Sequence, residues 1–368
     1  MAFSAVARIR STALRHNLQR VHEAAPGCPV LAVIKADAYG HGLVATARAL
    51  SAADAFGVAR FAAALELRQA GIDKDIVVLS GWLDAESLAL ARDHNLQVVV
   101  HDEEQVATLA TAVTGESVRV WLKIDSGMGR LGIAPANTAE TIDRLRDSSA
   151  VADDLCLMTH LSCADETQRN VTGDQLRLFG EVIGNWIGDI SIANSAGVLG
   201  WPETVAPGSL VSYFGRNWVR PGLMLYGVSP LNSRTALECG LEPAMLLEGR
   251  LLVVRDLHEG GTVGYGAEWR ATRDSRIGVI NVGYADGYPW RLSNRAMVQV
   301  ADVNVPVIGR VSMDMISVDL TEVPSARPGD VVTLWGCNQT VEELAGKAGM
   351  SSYELLTGVG ARIVRQHE

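Results

Sequence analysis

The first two-thirds of the chain repeats one unit, a short β-branched run followed by an Ala/Leu/Arg-rich helical pattern. The runs are VLAVIK (30–35), AFGVA (55–59), IVVLS (76–80), QVVV (97–100), VRVWLKID (118–125), LCLMTH (155–160), ISIANS (190–195) and NWVRPG (217–222). Segments such as FAAALELRQAG and DEEQVATLATAV fill most gaps with helical spacing, whereas SAGVLGWPETVAPGSLVSYFGR reads as loop. Strands that alternate with helices form parallel sheets, because each helix carries the chain back to the start of the next strand. About eight units is the count of a TIM barrel, (β/α)8. A doubly wound sheet alternates in the same way, but no GxGxxG follows the first run.

After about residue 236 the texture changes. MLLEGRLLVVRDL, RIGVINVGY, AMVQVADVNVPVIGRVSMDMISVDL and GDVVTLWG are runs divided by Gly, Pro and Asp, the pattern of a mainly antiparallel β domain. The expected division is a barrel over 1–235 and a β-rich domain over 236–368. Two short helices are expected to close the chain, since Thr340-x-x-Glu343 and Ser351-x-x-Glu354 both fit a capping box.

Composition excludes several classes of partner. The net charge of −10 argues against a nucleic-acid or anionic-membrane surface. No apolar run is long enough to span a bilayer, and the N-terminus lacks the apolar core of a signal peptide. Cysteines 28, 156, 163, 239 and 337 are scattered with no CxxC, as expected of a reducing cytoplasm. Neither HExxH nor a Cys/His cluster supports a metal site.

Chemistry in such barrels sits at the C-terminal ends of the strands. Lys35 ends the first run, Lys123 and Asp125 the fifth, His160 the sixth, Asn194 and Ser195 the seventh, and Arg220 lies at the eighth. The opposite ends read as apolar or plain turn residues. A strand-end lysine commonly snorkels to water, and a lone histidine is commonly a hydrogen-bonded core residue. Several cations gathered at one rim need another account. A lysine there can lose its proton and form a Schiff base with a carbonyl. Ser195 and Gly222 follow strands seven and eight, where these barrels bind phosphate. An amine, a phosphate site and a buried arginine favour pyridoxal phosphate over a sugar-phosphate aldolase, without separating the two.

The sequence closely resembles the alanine racemase family. AVIKADAYGHG is similar to its cofactor-lysine signature. The likeness continues through KIDSGMGRLG, THLSCADE, ANSAG, VRPGLMLYG, TVGYGAEW, VGYADGYP, GRVSMDM and SYELLTGVGAR, in family order over nearly the whole chain. The resemblance implies that Lys35 carries pyridoxal 5'-phosphate as a Schiff base. It also implies that Tyr39, Ser195, Tyr353 and the backbone of Gly222 and Leu223 hold the phosphate, with Arg220 at the pyridine nitrogen. Lys35 and Tyr265 would be the two catalytic bases, Tyr265 reaching in from a second subunit of a homodimer with shared active sites. His160 would lie between Tyr265 and Arg220. Arg130 and the partner's Met313 backbone would bind the amino-acid substrate, and Lys123 would be a carbamylated lysine that fixes Arg130. The implied role is supply of D-alanine for peptidoglycan. Trp290 departs from the family pattern, where a basic residue is common, and Leu223 stands where some members have Ile.

Three other readings compete, one of them a non-catalytic cofactor-binding protein of the single-barrel kind, against which the block around Tyr265 counts. Barrel-type pyridoxal phosphate decarboxylases carry an acidic residue at the pyridine nitrogen and a reactive cysteine in the second domain, and Arg220 and Met313 count against them. A broader-specificity racemase is the third. Taken without the resemblance, VGYG around Tyr265 is a glycine-flanked turn and SMDM is part of a strand.

Overall fold

The computed structural model describes residues 5–81, 83–112, 115–206, 208–336 and 338–368; Cys337 lies outside the described residues. Two compact units divide the chain. One comprises Leu14–Ala38 and Leu43–Leu241, the other the N-terminal segment through Ala13, Tyr39–Gly42 and Glu242–Glu368.

All eight expected strands form in the first unit, as Leu31–Val33, Ala55–Val58, Asp75–Val78, Gln97–Val100, Val120–Lys123, Cys156–Met158, Ile190–Asn194 and Asn217–Arg220. They are parallel and adjacent in chain order. A parallel bridge from Val30 to Val219, with Val33 N–H donating to Pro221 O at 2.9 Å, joins the last strand to the first. The sheet is therefore a barrel. Its strands are apolar on both faces because helices cover the outside and side chains fill the inside. Leu31, Ala55, Val77, Val99, Trp121, Cys156, Met158 and Trp218 pack together as the interior cluster.

The floor of this barrel is not made of plain turn residues, as the sequence suggested. Asp189, just before strand seven, accepts from Arg119 Nη2 at 2.7 Å and Arg216 Nη2 at 2.8 Å. It also accepts from Trp218 Nε1 at 2.8 Å. The Arg119 guanidinium lies 5.7 Å from the Trp121 ring centroid and 5.8 Å from that of Trp218. The indoles meet edge to face, with centroids 5.5 Å apart. Sequence reading missed this network because its members come from three separate strand starts.

In the second unit, Met245–Leu257 is the central strand, paired antiparallel with Val6–Ile9, Val331–Trp335 and Ser275–Ile280. Its first half meets the first two and its second half the third. Met297–Val300, Val303–Ile308 and Ile316–Asp319 continue the sheet. Ala301 and Asp302, at φ 48° and 64°, make the tight turn of the first of these hairpins.

Two expectations need correction. The strand Val6–Ile9 belongs to this unit and not to a barrel domain beginning at residue 1. Its backbone satisfies one edge of Met245–Leu257 and also pairs, in parallel, with Val364–His367. That final strand also means that the chain does not close on its two helices. Thr340 forms the full reciprocal capping box with Glu343 on helix Val341–Ala348, whereas Ser351 accepts from Glu354 N–H at the start of helix Ser352–Thr357.

Replacing Asp189 with alanine would leave Arg119 with Asp154 as its remaining carboxylate, 2.9 Å from Nε, and would take the partner from Arg216 and the acceptor from Trp218 Nε1. The expected loss is about 1–3 kcal/mol of unfolding free energy, read as a lower urea midpoint at unchanged slope. An unchanged midpoint would show that the floor network is not stabilising.

Candidate active site

Five of the expected side chains, Lys35, Lys123, Arg130, His160 and Arg220, gather at the C-terminal mouth of the barrel. The first strand stops at Val33, two residues earlier than VLAVIK implied, and Lys35 opens a short left-handed turn. Ala36, Asp37, Ala38 and Tyr39 all have φ between 52° and 54°. This conformation costs roughly 1–2 kcal/mol for each non-glycine residue. It is held by Asp37, whose Oδ1 accepts from Leu43 N–H at 2.8 Å, and by Ala38 N–H donating to Ile34 O at 3.0 Å. The turn fixes the backbone from which the Lys35 amine projects. Partial desolvation, followed by the nearby Arg130 cation, lowers the Lys35 pKa.

Lys123 ends strand five of the sequence reading, the strand Val120–Lys123, and is buried. Burial first, then Arg220 and Arg130, brings its pKa down to about 8. Asp125 does not form an ion pair with it. The carboxylate turns instead onto the N–H groups of Gly127, Met128 and Gly129 at 2.9–3.1 Å. Burial alone would raise the Asp125 pKa, but these three donors outweigh it and the pKa falls. Gly132 closes the same loop at φ 135°; a Cβ there would come within 2.6 Å of Asp125 N.

Arg220 ends the eighth strand, fully enclosed. Nη1 donates to Ser191 Oγ. Nη2 donates to Thr159 O at 2.6 Å and Ile192 O at 3.2 Å, and lies 3.4 Å from His160 Nδ1. None of these bonds uses Nε–H. Burial lowers the guanidinium pKa to about 10, so it stays charged at neutral pH. His160 is held neutral by burial and by the cations of Arg220, Lys123, Arg130 and Lys35, in that order. Its Nδ1 therefore accepts from Arg220 and its proton sits on Nε2.

Beyond strand seven, Asn194 caps the short helix Ser195–Gly200 by accepting from Gly197 N–H at 2.9 Å. Ser195 Oγ accepts from Gly222 N–H at 2.8 Å and from Met224 N–H at 3.4 Å. Leu223, buried, begins the next helical turn. Hydroxyl and amides are thus drawn together.

Tyr39, Tyr353, Tyr265 and Met313 lie in the second unit. Tyr39 and Tyr353 are ring neighbours, with centroids 5.9 Å apart. Burial, then Tyr353, raises the Tyr39 pKa. Tyr265 occupies a one-turn element between Gly264 and Gly266, at φ 77° and 76°, and is 72% exposed. The local structure is thus the glycine-flanked turn read from VGYG. SMDM is not strand: Ser312 and Met313 carbonyls accept from Tyr284 and Ala285 N–H at 3.0 Å in a loop before Ile316–Asp319. Met313 is itself 54% exposed.

One rim residue escaped sequence reading. His101 follows strand four of the Ala55-to-Val100 run and obeys the same C-terminal-end rule that singled out Lys123 and His160.

The fold and mouth define a barrel enzyme whose amine-bearing, strongly cationic site is built to hold an anion. The alanine racemase N-terminal domain profile matches residues 9–230 and the C-terminal domain profile residues 244–367. Alanine racemase of Aliivibrio salmonicida is 43% identical over 364 residues, 99% of each chain. The structure of biosynthetic alanine racemase from Pseudomonas aeruginosa superposes with a TM-score of 0.91 at 40% identity, covering 100% of this chain and 99% of that one. Alanine racemase from Bartonella henselae, solved with covalently bound pyridoxal phosphate, has a TM-score of 0.86 at 27% identity, covering 99% of both chains. The chain belongs to the alanine racemase family, and it is an isomerase of the amino-acid racemase class. Among the described residues no helix is long and apolar enough to cross a membrane, and no metal-ligating cluster occurs.

The lowered Lys123 pKa has a stability consequence. Below about pH 8 the lysine is charged in both folded and unfolded chains, and its burial penalty is fully present. Between about pH 8 and 10.5 the folded chain binds fewer protons than the unfolded one, so stability rises with pH. In carbonate-free buffer, Lys123→Met should remove up to about 3 kcal/mol of that rise. Parallel pH–stability curves for the two proteins would contradict it.

Proposed function

We propose that the chain interconverts L-alanine and D-alanine with pyridoxal 5'-phosphate on Lys35, supplying D-alanine for peptidoglycan. The carrying observation is the mouth itself, where Lys35, Lys123 and Arg130 lie within electrostatic reach of one another while the nearby Asp125 carboxylate is bonded to three backbone amides. The residues fit the cofactor. Lys35 offers an amine whose proton is more easily lost than usual, and Arg220 has an uncommitted Nε–H for a pyridine nitrogen. Ser195 Oγ and the backbone of Gly222 and Leu223 suit a phosphate, with Tyr39 and Tyr353 completing the set. When bound, the cofactor supplies the electron withdrawal that acidifies the substrate α-carbon.

Arg220 only donates, so a pyridine nitrogen facing it stays unprotonated. This moderates the electron withdrawal and favours proton return over loss of carbon dioxide. The decarboxylase alternative calls for an acidic partner at that position. Arg130 binds the substrate carboxylate together with the partner subunit's Met313 N–H. A carbamate on Lys123 orients Arg130 and offsets the positive mouth.

Inversion needs a proton removed from one face and another delivered to the opposite face. Lys35 takes the proton of D-alanine, and Tyr265 of the partner subunit takes that of L-alanine. A phenol is a weak base at neutral pH. Neutral His160, its Nδ1 held by Arg220, donates its Nε2–H to the Tyr265 oxygen, which favours the phenolate and makes it usable as a base. The high exposure of Tyr265 supports its service in trans.

Two outcomes follow. Tyr265→Ala should retain solvent deuterium exchange into D-alanine while exchange into L-alanine drops about 10²–10⁴-fold. Racemisation falls equally in both directions, because the equilibrium constant between enantiomers is one. Equal loss of both exchanges with cofactor bound would favour a single base. Separately, mixing Lys35→Ala and Tyr265→Ala chains should restore activity in heterodimers carrying one intact site; verified heterodimers without activity would rule out sharing.

A further inference from the structure

Two groups at the mouth, His101 and Lys123, are tied by consecutive residues of one loop. His101 O accepts from Gly132 N–H at 3.2 Å, and Lys123 O accepts from Ile133 N–H at 2.8 Å. The parallel register sets Val99 beside Trp121 and Val100 beside Leu122. One step further places His101 beside Lys123. Val99 and Trp121 are both in the interior cluster, so by the two-residue period of a strand His101 and Lys123 both face into the barrel.

The orientation of the imidazole is set by a buried glutamine. Gln105 Oε1 accepts from His101 N–H at 2.8 Å, and its Nε2 donates to Gly81 O at 3.1 Å. The same Nε2 lies 3.5 Å from His101 Nε2. An amide nitrogen offers only protons, so His101 presents a lone pair there and carries its proton on Nδ1. Burial, then the Lys123 charge, lowers the His101 pKa, which keeps the ring neutral. This N–H has its own carbonyl as acceptor, shared with Gly132 N–H, and the charges acting on the ring are those of Lys123 and Asp102.

We propose that His101 is a positioning residue for Lys123, donating its Nδ1–H to a carbamate formed on the lysine amine. This rests on the carbamate reading of Lys123 given above. In that reaction the neutral amine nitrogen bonds to the carbon of carbon dioxide, one C=O electron pair moves to oxygen, and one N–H proton leaves to solvent. The site changes from neutral to anionic. An oxygen of that anion is a charged acceptor, stronger than the shared carbonyl that His101 otherwise uses, while Arg130 takes the other.

The test uses the full-length holoenzyme with isotopically labelled bicarbonate, read by carbon NMR. The wild type should show a carbamate signal that Lys123→Ala abolishes. His101→Ala should need about tenfold more bicarbonate for half occupancy, the size of one charge-assisted hydrogen bond. His101→Asn, whose amide N–H can take the place of Nδ1–H, should recover most of that loss. Equal bicarbonate dependence in wild type and His101→Ala would overturn the role of His101 while leaving the carbamate in place. No signal in the wild type would overturn both. A second reading needs no variant. In histidine-labelled wild type the His101 Nδ1–H resonance should move downfield as the carbamate forms, and a static resonance would overturn the proposal.

Discussion

Asp189 pairs with two arginines at the floor of the barrel, whereas at the mouth the Asp125 carboxylate is taken up by three backbone amides. The two ends of one apolar core therefore differ in kind. At the floor, charges are paired, hydrogen-bonded and stacked on indoles, and the end is sealed. At the mouth, Lys35, Lys123, Arg130 and Arg220 repel one another, and lysine pKa values fall in response. Repulsion between cations costs stability. It is tolerable because an anion brought to the mouth recovers the cost as binding energy.

The mouth is also unusually fixed. Arg220 is clamped by a hydroxyl and two carbonyls, and burial, followed by that fixed cation, keeps His160 neutral. The Asp125 carboxylate accepts from three backbone amides, which shapes the Arg130 loop and keeps it out of an ion pair with Lys123. Lys35 leaves a left-handed turn whose strain is held by side-chain bonds. Each of these groups has its proton position set by a neighbour rather than by bulk solvent. That is what proton transfer at a single carbon requires.

In the second unit Tyr265 and Met313 are exposed, whereas Lys123 and Arg220 of the barrel are buried. Tyr265 stands between two glycines in conformations that favour glycine, so the turn that presents it is specified locally. A tyrosine held out in this way has no function for the isolated unit, which is the physical case for a second subunit in the proposed mechanism.

Much was legible in the linear chain. Eight β-branched runs with helical spacers gave a closed parallel barrel at the expected positions, since burial on both faces leaves a composition that can be read directly. The C-terminal-end rule located Lys35, Lys123, His160, Ser195 and Arg220. The same reading could not see that Val6–Ile9 serves the second unit, because strand composition does not say which edge a strand will pair with. It took Lys35 as strand, because positive φ at Ala36–Tyr39 is imposed by contacts distant from propensity. It missed the floor network and the pairing of His101 with Lys123, both products of register between strands. Sequence by itself determined which residue types stand at the ends of the strands, through local pattern. Only tertiary structure decided which of them meet, which are neutralised and which remain charged, because electrostatics and desolvation depend on distances that the chain order does not contain.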